Sequence, residues 1–570
     1  MEEDRFAGRG WQAAVLGLAS LLLLARLGAI DLWAPDEPRY AQVAEEVRAL
    51  ERGPASLVML TLNGRPYDQK PPLYFCLAAL AGAAGGRVTE TAARLPSALA
   101  GLALVALVLG WGSRLLGRTA ATLGAGMLVT APLFAYLARR TQLDVLLALF
   151  EALALFGFWR LDRGIGSRRA NLALMHASMG LGVLTKGPVG VLVPSLVIVA
   201  YLIWERRPSA LRAAFPPRAL ALSVLPGIVW IALATALAPA GFFDGAVIRN
   251  LYGRFFLGTS KANPWYFFFG VFPADWLPWT FLWPLVWFAG RREVFAPGAA
   301  GEPRRAWRLL LAWVGVTFVF FSISTGKRDL YLLPCYPAAA LLTGDGAVRA
   351  LRQLAALPRW AARAAAGLGI AVGAAALAAA LAPKIRGVDV PLPFAAAVIA
   401  ALATGAVLWR RAAASRFGAL GQIGAVIVAT LGVELSIFTL LFPVLDPQKS
   451  PRPIALAAAA LAPPGDPIGL VEQTPAIGGL VYYSGRRIEE LGSPDDLARF
   501  FETGGRVAVM QAEAFERGRA GRYAEVHARL REGSRATLVV TPRAAPASAA
   551  GPGETAAAGA EPGAGDAPLP

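Results

Sequence analysis

Runs of about twenty apolar residues recur along this chain and constrain its fold more than any other feature. Each run is long enough to cross the hydrocarbon core of a bilayer as one helix. Over all 570 residues the mean hydropathy is +0.51, which excludes an ordinary soluble protein. The first run has no small-residue cleavage site after it, so we expect a retained span rather than a signal peptide. The clearest runs cover 11–30, 95–113, 219–238 and 417–445.

The distribution of arginine predicts the orientation of these spans. The formal net charge is +17, and in a soluble protein such an excess would suggest nucleic acid. Here the arginines fall in alternate loops between apolar runs, and positively charged loops stay in the cytoplasm. The charge is therefore a topology signal and predicts no nucleic-acid partner. The arginine-rich loops are 160–169, 205–218, 290–308, 349–363 and 410–416.

One short apolar stretch decides the topology. The stretch 71–86 opens with two prolines, closes in glycines and has only 16 residues, which is short for a span. If it lies on the outer face or dips into it, every arginine-rich loop remains inside. We therefore predict about 13 transmembrane helices. They are 11–30, 93–116, 119–137, 143–160, 170–185, 187–204, 218–240, 265–290, 307–325, 330–346, 361–383, 391–409 and 418–443.

This topology divides the chain into three parts. Residues 1–443 form the membrane domain, whose first outer loop, 31–92, carries interfacial helices. Residues 444–543 alternate short apolar runs with helical patterns, which predicts a small extracytoplasmic α/β domain that serves as a lid or a structural unit. Residues 544–570 have low complexity, so we expect a disordered tail. The fold class is an α-helical polytopic membrane protein with a small C-terminal α/β domain.

Ionisable residues gather in the first outer loop, next to the membrane. The string WAPDEPRYAQVAEE holds Asp36, Glu37, Arg39 and Tyr40. Ionisable groups at a bilayer edge are costly and usually serve a site. Alternatively, Asp36 caps a helix that starts near Pro38, and capping would fix the carboxylate without excluding catalysis.

Three further strings bring lysine, tyrosine and acid to the same outer side. In GRPYDQKPPLYF, Tyr67 and Lys70 precede a rigid Pro-Pro pair, and an interfacial anchor is the alternative. In ARRTQLD, two arginines before Asp144 break the positive-inside pattern, which suggests a site or an ion pair. In LTKGPVG, Lys186 either belongs to the site or snorkels, extending its ammonium group to the membrane surface. Chance placement of loops is the alternative to one shared site.

Cations and aromatic residues near later spans complete a candidate phosphate rim. Arginine grips phosphate with two N–H groups, and lysine acts as a point charge. The alternative is general contact with anionic membrane lipids. Two histidines and two cysteines cannot build a His/Cys metal cluster. The rim residues are Arg249, Asn250, Arg254, Lys261, Lys327, Arg328 and Tyr331.

This set of residues suits group transfer from a lipid phosphate. A phosphate that leaves a sugar carbon gathers negative charge on its oxygens, which arginine and lysine stabilise. A carboxylate can deprotonate an incoming hydroxyl. If the acceptor is itself a phosphate, no base is needed, and Asp36 would orient the acceptor or steady positive charge at the sugar carbon.

These motifs together resemble the integral-membrane GT-C glycosyltransferases. The likeness is greatest to the branch of the protein O-mannosyltransferase superfamily that contains the bacterial aminoarabinose lipid A transferases. The matching strings run in order from residue 33 to 337. They are WAPDEPRYAQVAEE, LNGRPYDQKPPLYF, AARLPSALAG, RRTQLDVLLALF, GVLTKGPVG, NLYGRFF, NPWYFF and SISTGKRDLYLLPCYP.

The resemblance implies an inverting enzyme at the outer face of the bacterial inner membrane. It would move a sugar from a polyprenyl-phosphate donor to a lipid A-like lipid, a glycan or a protein. The alternative is a transporter or flippase of lipid-linked sugars, which would need polar residues through the membrane midplane, where these spans are nearly free of charge. By position, the site holds Asp36 and Asp144 as catalytic residues and Glu37, Arg39, Tyr40, Tyr67, Lys70, Lys186, Arg254, Lys327, Arg328 and Tyr331 as substrate-binding residues.

Two departures from the family bear on cofactors. Gln69 stands where the family often has an acidic residue, and Lys261 lies near a position that often holds histidine. The first of these weakens the inference of a bound metal, so no cofactor is assigned and a divalent metal is left open. Both departures weaken the assignment to aminoarabinose and lipid A in particular.

Overall fold

The structure is a computed structural model that describes residues 8–257, 262–295, 301–353, 373–374, 377–378, 381–385, 387–415, 418–473, 476–532 and 535–543. The predicted tail 544–570 and most of the predicted span 361–383 lie outside these residues. The α-helices of the described chain are α1 (Arg9–Leu24), α2 (Asp36–Ala49), α3 (Leu73–Ala83), α4 (Glu90–Leu115), α5 (Arg118–Val129), α6 (Pro132–Ala138), α7 (Leu143–Asp162), α8 (Arg168–Lys186), α9 (Val189–Trp204), α10 (Leu211–Ala214), α11 (Pro217–Leu237), α12 (Phe267–Asp275), α13 (Trp283–Phe295), α14 (Glu302–Ile323), α15 (Tyr336–Arg352), α16 (Leu392–Ala413), α17 (Gly418–Ser436), α18 (Phe442–Lys449), α19 (Arg452–Leu461), α20 (Ile477–Ser484), α21 (Pro494–Glu502) and α22 (Ala512–Arg517).

Within the described residues, five helices are long and apolar enough to cross a membrane. They are α4, α11, α14, α16 and the continuous stretch Gly418–Lys449, and the bent pair α5 and α6 is a sixth candidate. The prediction of about 13 spans is therefore not confirmed. Helices α7 and α8 coincide with predicted spans, but charged residues such as Glu151 and Lys186 lower their apolar character.

Breaks in the helices account for part of the difference. The predicted span 119–137 is two helices that meet at 67°. Ala131, the residue before Pro132, has extended dihedral angles, because the proline ring disfavours the helical conformation of its predecessor. The predicted span 265–290 is likewise split into α12, a short 3-10 turn and α13. Proline in each segment removes a backbone N–H donor, so one continuous helix cannot form.

The short apolar stretch after the first outer loop forms α3, which has only 11 residues. At about 1.5 Å per residue it is too short to cross a bilayer, in agreement with the expectation that it does not span. It packs against α2, and Tyr74 and Phe75 at its start are fully buried. The first outer loop thus forms a compact layer on the membrane helices.

The C-terminal part of the described chain forms an α/β unit. Its five-stranded sheet has the order β6-β5-β7-β9-β8. Strand β5 pairs in parallel with β6 and β7, whereas β9 pairs antiparallel with β7 and β8. Two short hairpins, β1–β2 and β3–β4, precede it. The strands are β1 (Thr61–Leu62), β2 (Arg65–Pro66), β3 (Lys384–Ile385), β4 (Val388–Asp389), β5 (Ile468–Val471), β6 (Ile488–Leu491), β7 (Val507–Gln511), β8 (Ala524–Glu532) and β9 (Arg535–Pro542).

The first outer loop and the α/β unit are in direct contact. Asn63, in the turn between β1 and β2, donates to the carbonyl of Ile488 at 2.7 Å and accepts from its N–H at 3.0 Å. Its side chain therefore pairs with the edge strand β6 as another strand would. Arg65 adds a 2.8 Å ion pair to Glu490. Because the two parts touch, they lie on the same side of the membrane.

Candidate active site

Asp36 is the first residue of α2, and its carboxylate is buried. The prediction that it caps a helix starting near Pro38 is wrong: the helix starts at Asp36, and Pro35 occupies the cap position without a side-chain hydrogen bond. The carboxylate instead binds two arginines, because charge-assisted hydrogen bonds to guanidinium are stronger than those to backbone N–H groups. An acidic residue in the first turn also suits the positive end of the helix dipole.

Arg39 and Arg328 hold the carboxylate of Asp36 from two sides. Arg39, one turn along α2, donates to Oδ1, and Arg328 donates to Oδ2 at 2.9 Å. Burial alone would raise the pKa of Asp36, but the positive charges of Arg328, Arg39 and Lys70 lower it below its ordinary value. The group is therefore ionised and weakly basic at neutral pH. This favours orientation and charge stabilisation over proton abstraction.

Glu37 is buried and accepts hydrogen bonds from every side. Arg94 donates to both carboxylate oxygens at 2.9 and 3.1 Å, and Arg140 donates to Oε2 at 2.5 Å. The backbone N–H groups of Thr141 and Trp33 donate at 3.0 and 3.1 Å. Burial raises the pKa of Glu37, but the two arginines outweigh it and lower the pKa to about 2. Because the protein uses all of these acceptors, we infer that Glu37 fixes the loop and does not contact substrate.

Arg94 is a site residue that sequence reasoning missed. Its side chain on α4 is only 1% exposed. Besides Glu37, it donates to the carbonyls of Leu27, Ile30 and Asp31, so it holds the chain that leads into α2. The sequence did hold one indication of this role, because Arg94 stands at the start of an otherwise apolar predicted span. Burial of an arginine in such a position is costly unless its charge is paired.

The two arginines that break the positive-inside pattern have structural partners. Arg140 forms the ion pair with Glu37 and lies 3.9 Å from the centroid of the Trp33 ring. Arg139 donates to the carbonyls of Leu22 and Ala25, which are otherwise unpaired at the end of α1. The exception to the charge pattern therefore marks an ion pair and a helix cap.

Asp144 and Lys186 form a second buried ion pair where two helices meet. Asp144 lies in the first turn of α7 and Lys186 is the last residue of α8, so each charge suits the dipole of its own helix. The Lys186 ammonium donates to Asp144 and stands 4.6 Å from the centroid of the Tyr331 ring. Arg328 is attracted by both Asp144 and Asp36, which places the two acids in one charged site.

The predicted tyrosines pack together beside this site. The rings of Tyr40 and Tyr67 meet the ring of Phe75 edge-on, with centroids 5.6 and 5.9 Å apart. Arg39 lies 5.3 Å from the centroid of the Tyr40 ring. Burial, with the Asp36 carboxylate, raises the pKa of Tyr40 well above its ordinary value, so the phenol stays protonated.

Among the predicted rim residues, Lys327 lines a cavity beside Arg328, but its charge is engaged by backbone carbonyls. Lys327 is 3% exposed, and its ammonium donates to the carbonyls of Ser324 and Asn263, the latter at 2.9 Å. Its charge therefore holds the turn before Arg328. The side chain of Arg254 and the whole of Lys261 lie outside the described residues.

A cavity of about 310 Å³ adjoins the charged cluster. Its polar lining comes from Asp68, Gln69, Lys70, Lys186 and Asn250, and most of the rest comes from apolar side chains on α8, α9, α11 and the segment 244–257. Such a cavity suits a ligand with an anionic head and a hydrocarbon tail. Its wall residues are Val183, Val191, Val224, Ile228, Trp230, Ile231, Ala246 and Val247.

Arg328 lines a second, more polar cavity of about 520 Å³. Asp275, Asp329 and Asn263 contribute to its wall. Arg328 from this cavity and Lys70 from the first both act on Asp36. Asp36 is therefore influenced by a positive charge from the wall of each cavity.

The described residues offer little to a metal ion. Among them, no group of three or more histidine, cysteine or acidic side chains could hold one. Gln69 beside Lys70 supplies a neutral amide where an acid would be needed. The residues present do not fit a divalent metal, and we derive no step through one.

Comparison with known proteins gives related sequences. A family model described as dolichyl-phosphate-mannose-protein mannosyltransferase matches residues 69–231. The undecaprenyl phosphate-alpha-4-amino-4-deoxy-L-arabinose arabinosyl transferase of Pseudomonas paraeruginosa is 31% identical over 342 residues, which cover 58% of this chain and 59% of that protein. The Aeromonas salmonicida protein of the same name is 30% identical over 350 residues, with 58% and 59% covered. The chain thus spans about three fifths of the length of the relatives it matches.

Solved structures show the same fold. The crystal structure of ArnT from Cupriavidus metallidurans bound to undecaprenyl phosphate has a TM-score of 0.74 and 24% sequence identity, covering 96% of this chain and all of that one. The apo form of that protein has a TM-score of 0.72. The resemblance to GT-C membrane glycosyltransferases is therefore confirmed, as is the helical membrane fold with a small C-terminal sheet.

Proposed function

We propose that this protein is an inverting glycosyltransferase that uses a polyprenyl-phosphate sugar at the outer face of a bacterial inner membrane. The observation that carries this proposal is the first cavity, where Lys70 and Lys186 stand at one side of apolar walls. The lysines bind the donor phosphate, and the lipid chain follows the walls. Relatives named for an undecaprenyl-phosphate donor support this choice of ligand.

The transfer needs one bond made and one broken. An acceptor oxygen attacks the sugar C1 from the side opposite the phosphate, and the C1–O bond to the phosphate breaks with inversion. The phosphate leaves with the electron pair and carries the added negative charge. Lys70 and Lys186 stabilise that charge in a partly dry cavity, where electrostatic interactions are strong.

The acceptor approaches from the second cavity, where Arg328 meets it. A phosphate on a lipid A-like acceptor attacks as an anion and gives up no proton. This fits Asp36, whose lowered pKa makes it a poor base and whose negative charge can steady the sugar carbon as it becomes positive. Asp144 keeps Lys186 in place until the donor phosphate competes for it.

The remaining predicted residues support these two steps. Tyr40 and Tyr67 pack on Phe75, with Arg39 over the Tyr40 ring, and Tyr331 faces the Lys186 ammonium. Residues 444–543 form an extracytoplasmic domain, since this part touches the first outer loop. No metal is required in this scheme.

The test uses purified protein in lipid nanodiscs with undecaprenyl-phosphate aminoarabinose and lipid A. We expect sugar-bearing lipid A and free undecaprenyl phosphate by mass spectrometry. A panel of other polyprenyl-phosphate sugars, glycans and peptides would identify a different sugar or acceptor. If the donor stays chemically intact but crosses the bilayer of a proteoliposome, the protein is a transporter of lipid-linked sugars and the proposed transferase function is wrong.

A further inference from the structure

Helix α20 of the C-terminal unit packs directly on the first turn of α2. Gly478 faces the backbone of Arg39, and a Cβ atom on Gly478 would lie 2.3 Å from the Arg39 Cα and 2.7 Å from its Cβ. A Cβ atom on Gly479 would lie 2.6 Å from the Cγ atom of Pro451. Cβ atoms do not approach backbone atoms within 3.0 Å, so the contact requires glycine at Gly478.

Two tyrosines of the same helix hold the chain on either side of this contact. The Tyr483 hydroxyl accepts from the N–H of Leu32 at 2.7 Å, just before α2. The Tyr482 hydroxyl donates to the carbonyl of Val88 at 2.6 Å, just before α4. Helix α20 is thus fixed to the segments that lead into both helices.

The residue under Gly478 is a partner of the proposed catalytic acid. Arg39 donates to Asp36, which is three residues away on α2. A shift of the Arg39 backbone would move its guanidinium and leave a buried carboxylate with one partner fewer. Small displacements at a charged site have large effects on rate, because the interactions depend on preorganised geometry.

We infer that α20 is a positioning element for sugar transfer. Gly478 fixes the backbone of Arg39, and through Arg39 it fixes the carboxylate of Asp36. This inference rests on the proposed function for its effect on turnover, but its structural part can be tested alone. The C-terminal unit therefore completes the active site instead of covering it.

The first experiment compares Gly478→Ala with Gly521→Ala in the full-length protein. Gly521 is in the same unit, has an ordinary φ and would place its Cβ 3.6 Å from the nearest ring atom of Phe515. By hydrogen exchange, we expect the amides of α2 to exchange about tenfold faster in Gly478→Ala and unchanged in Gly521→Ala. Equal exchange in both variants would overturn the inference, whatever reaction the protein catalyses.

The second experiment is a double-mutant cycle with Arg39→Ala, read as donor turnover. We expect Gly478→Ala alone to lower kcat about tenfold with little change in donor KM. In the Arg39→Ala background the same substitution should lower kcat less than about twofold, because the side chain through which Gly478 acts on Asp36 is already absent. If Gly478→Ala lowers kcat by the same factor with and without Arg39, Gly478 does not act through Arg39.

If Gly478→Ala does not fold, Tyr483→Phe replaces it without adding volume. It removes the acceptor of the Leu32 N–H, and Tyr523→Phe is the control within the same unit. We expect faster exchange at the start of α2 for Tyr483→Phe only. If the wild-type protein transfers no sugar, the proposed function is wrong. The hydrogen-exchange experiment would still test whether Gly478 positions α2.

Discussion

At the scale of single residues, the site consists of buried charges that neutralise one another. The sequence predicted Asp36, Asp144, Lys70, Lys186 and Arg328 because all of them fall on one side of the predicted membrane. The structure brings these five together. The sequence did not predict Arg94, because its partner Glu37 is 57 residues away in the chain and no local pattern links the two residues. The roles of these residues in catalysis stay predictions.

Replacing Asp36 tests the central carboxylate. We expect Asp36→Asn to lower sugar transfer at least about 100-fold, because Arg328 and Arg39 lose the charge that holds them in place. Folding and membrane insertion should be unaffected, as judged by gel filtration in detergent. Asp389→Asn is the control, since that side chain is 86% exposed. Retained transfer by Asp36→Asn would remove Asp36 from the mechanism.

Glu37 makes the fold sensitive to acid. Its folded pKa of about 2 is below the ordinary 4.5, so its ion pairs stabilise the protein fully above pH 4.5 and lose effect as the pH falls toward 2. At neutral pH we expect Glu37→Gln to cost about 3 kcal/mol, because Arg94 and Arg140 are left without a buried counter-charge. Thermal unfolding from pH 7 to pH 3 should show the wild-type and variant melting temperatures converging. Parallel curves would contradict this assignment.

Lys70 distinguishes donor binding from acceptor binding. We expect Lys70→Ala to raise the donor KM about tenfold or more and to leave the acceptor KM nearly unchanged, because its charge faces the donor cavity. Lys384→Ala, at a side chain that is 62% exposed, is the control. Steady-state kinetics with each substrate varied in turn will measure both values. Equal effects on the two KM values would count against a donor-phosphate contact.

At the scale of helices and strands, prolines explain two of the differences from the sequence prediction, the breaks within 119–137 and 265–290. Apolar runs indicated where helices lie, and α4, α7 and α8 begin within a few residues of their predicted starts. Hydropathy alone did not show that 119–137 bends by 67°, although Pro132 marked the place. Alternation of apolar runs indicated a C-terminal α/β unit, but strand order depends on long-range pairing that no local pattern reveals.

The helices around the first cavity should set the length of lipid that fits. Val191 on α9 lines the cavity, whereas the next residue, Leu192, is 44% exposed and points away. We expect Val191→Trp to slow transfer from long-chain polyprenyl donors about tenfold more than from short-chain ones, because the indole fills the path of the tail. Leu192→Trp should have no such preference. Competition between donors of two chain lengths, followed by mass spectrometry, will measure the ratio.

At the scale of the whole molecule, contact between the first outer loop and the C-terminal unit bears on the topology. Asn63 and Arg65 bind strand β6, so the two parts cannot lie on opposite faces of a bilayer. The alternation of arginine-rich loops predicted the same arrangement from charge alone. The contact supports one shared side for the two parts, and the arginine pattern alone predicts which side that is.

Reporter fusions will test this orientation. Alkaline phosphatase should be active when fused after residue 543 or inserted at residue 52, and inactive when inserted in the loop 205–218. Expression of each fusion should be checked by immunoblot. Activity at only one of the first two positions would contradict the contact between loop and sheet.

The docking of Gly478 on Arg39 has a consequence for biogenesis. A ribosome makes Asp36 early and reaches Gly478 only after hundreds of further residues, a delay of tens of seconds at about 5–20 residues per second. During that time the nascent chain already has membrane helices in place but lacks the helix that seats its reacting residues. If Gly478 positions Asp36 as inferred, unfinished copies would therefore stay inactive until α20 docks on α2.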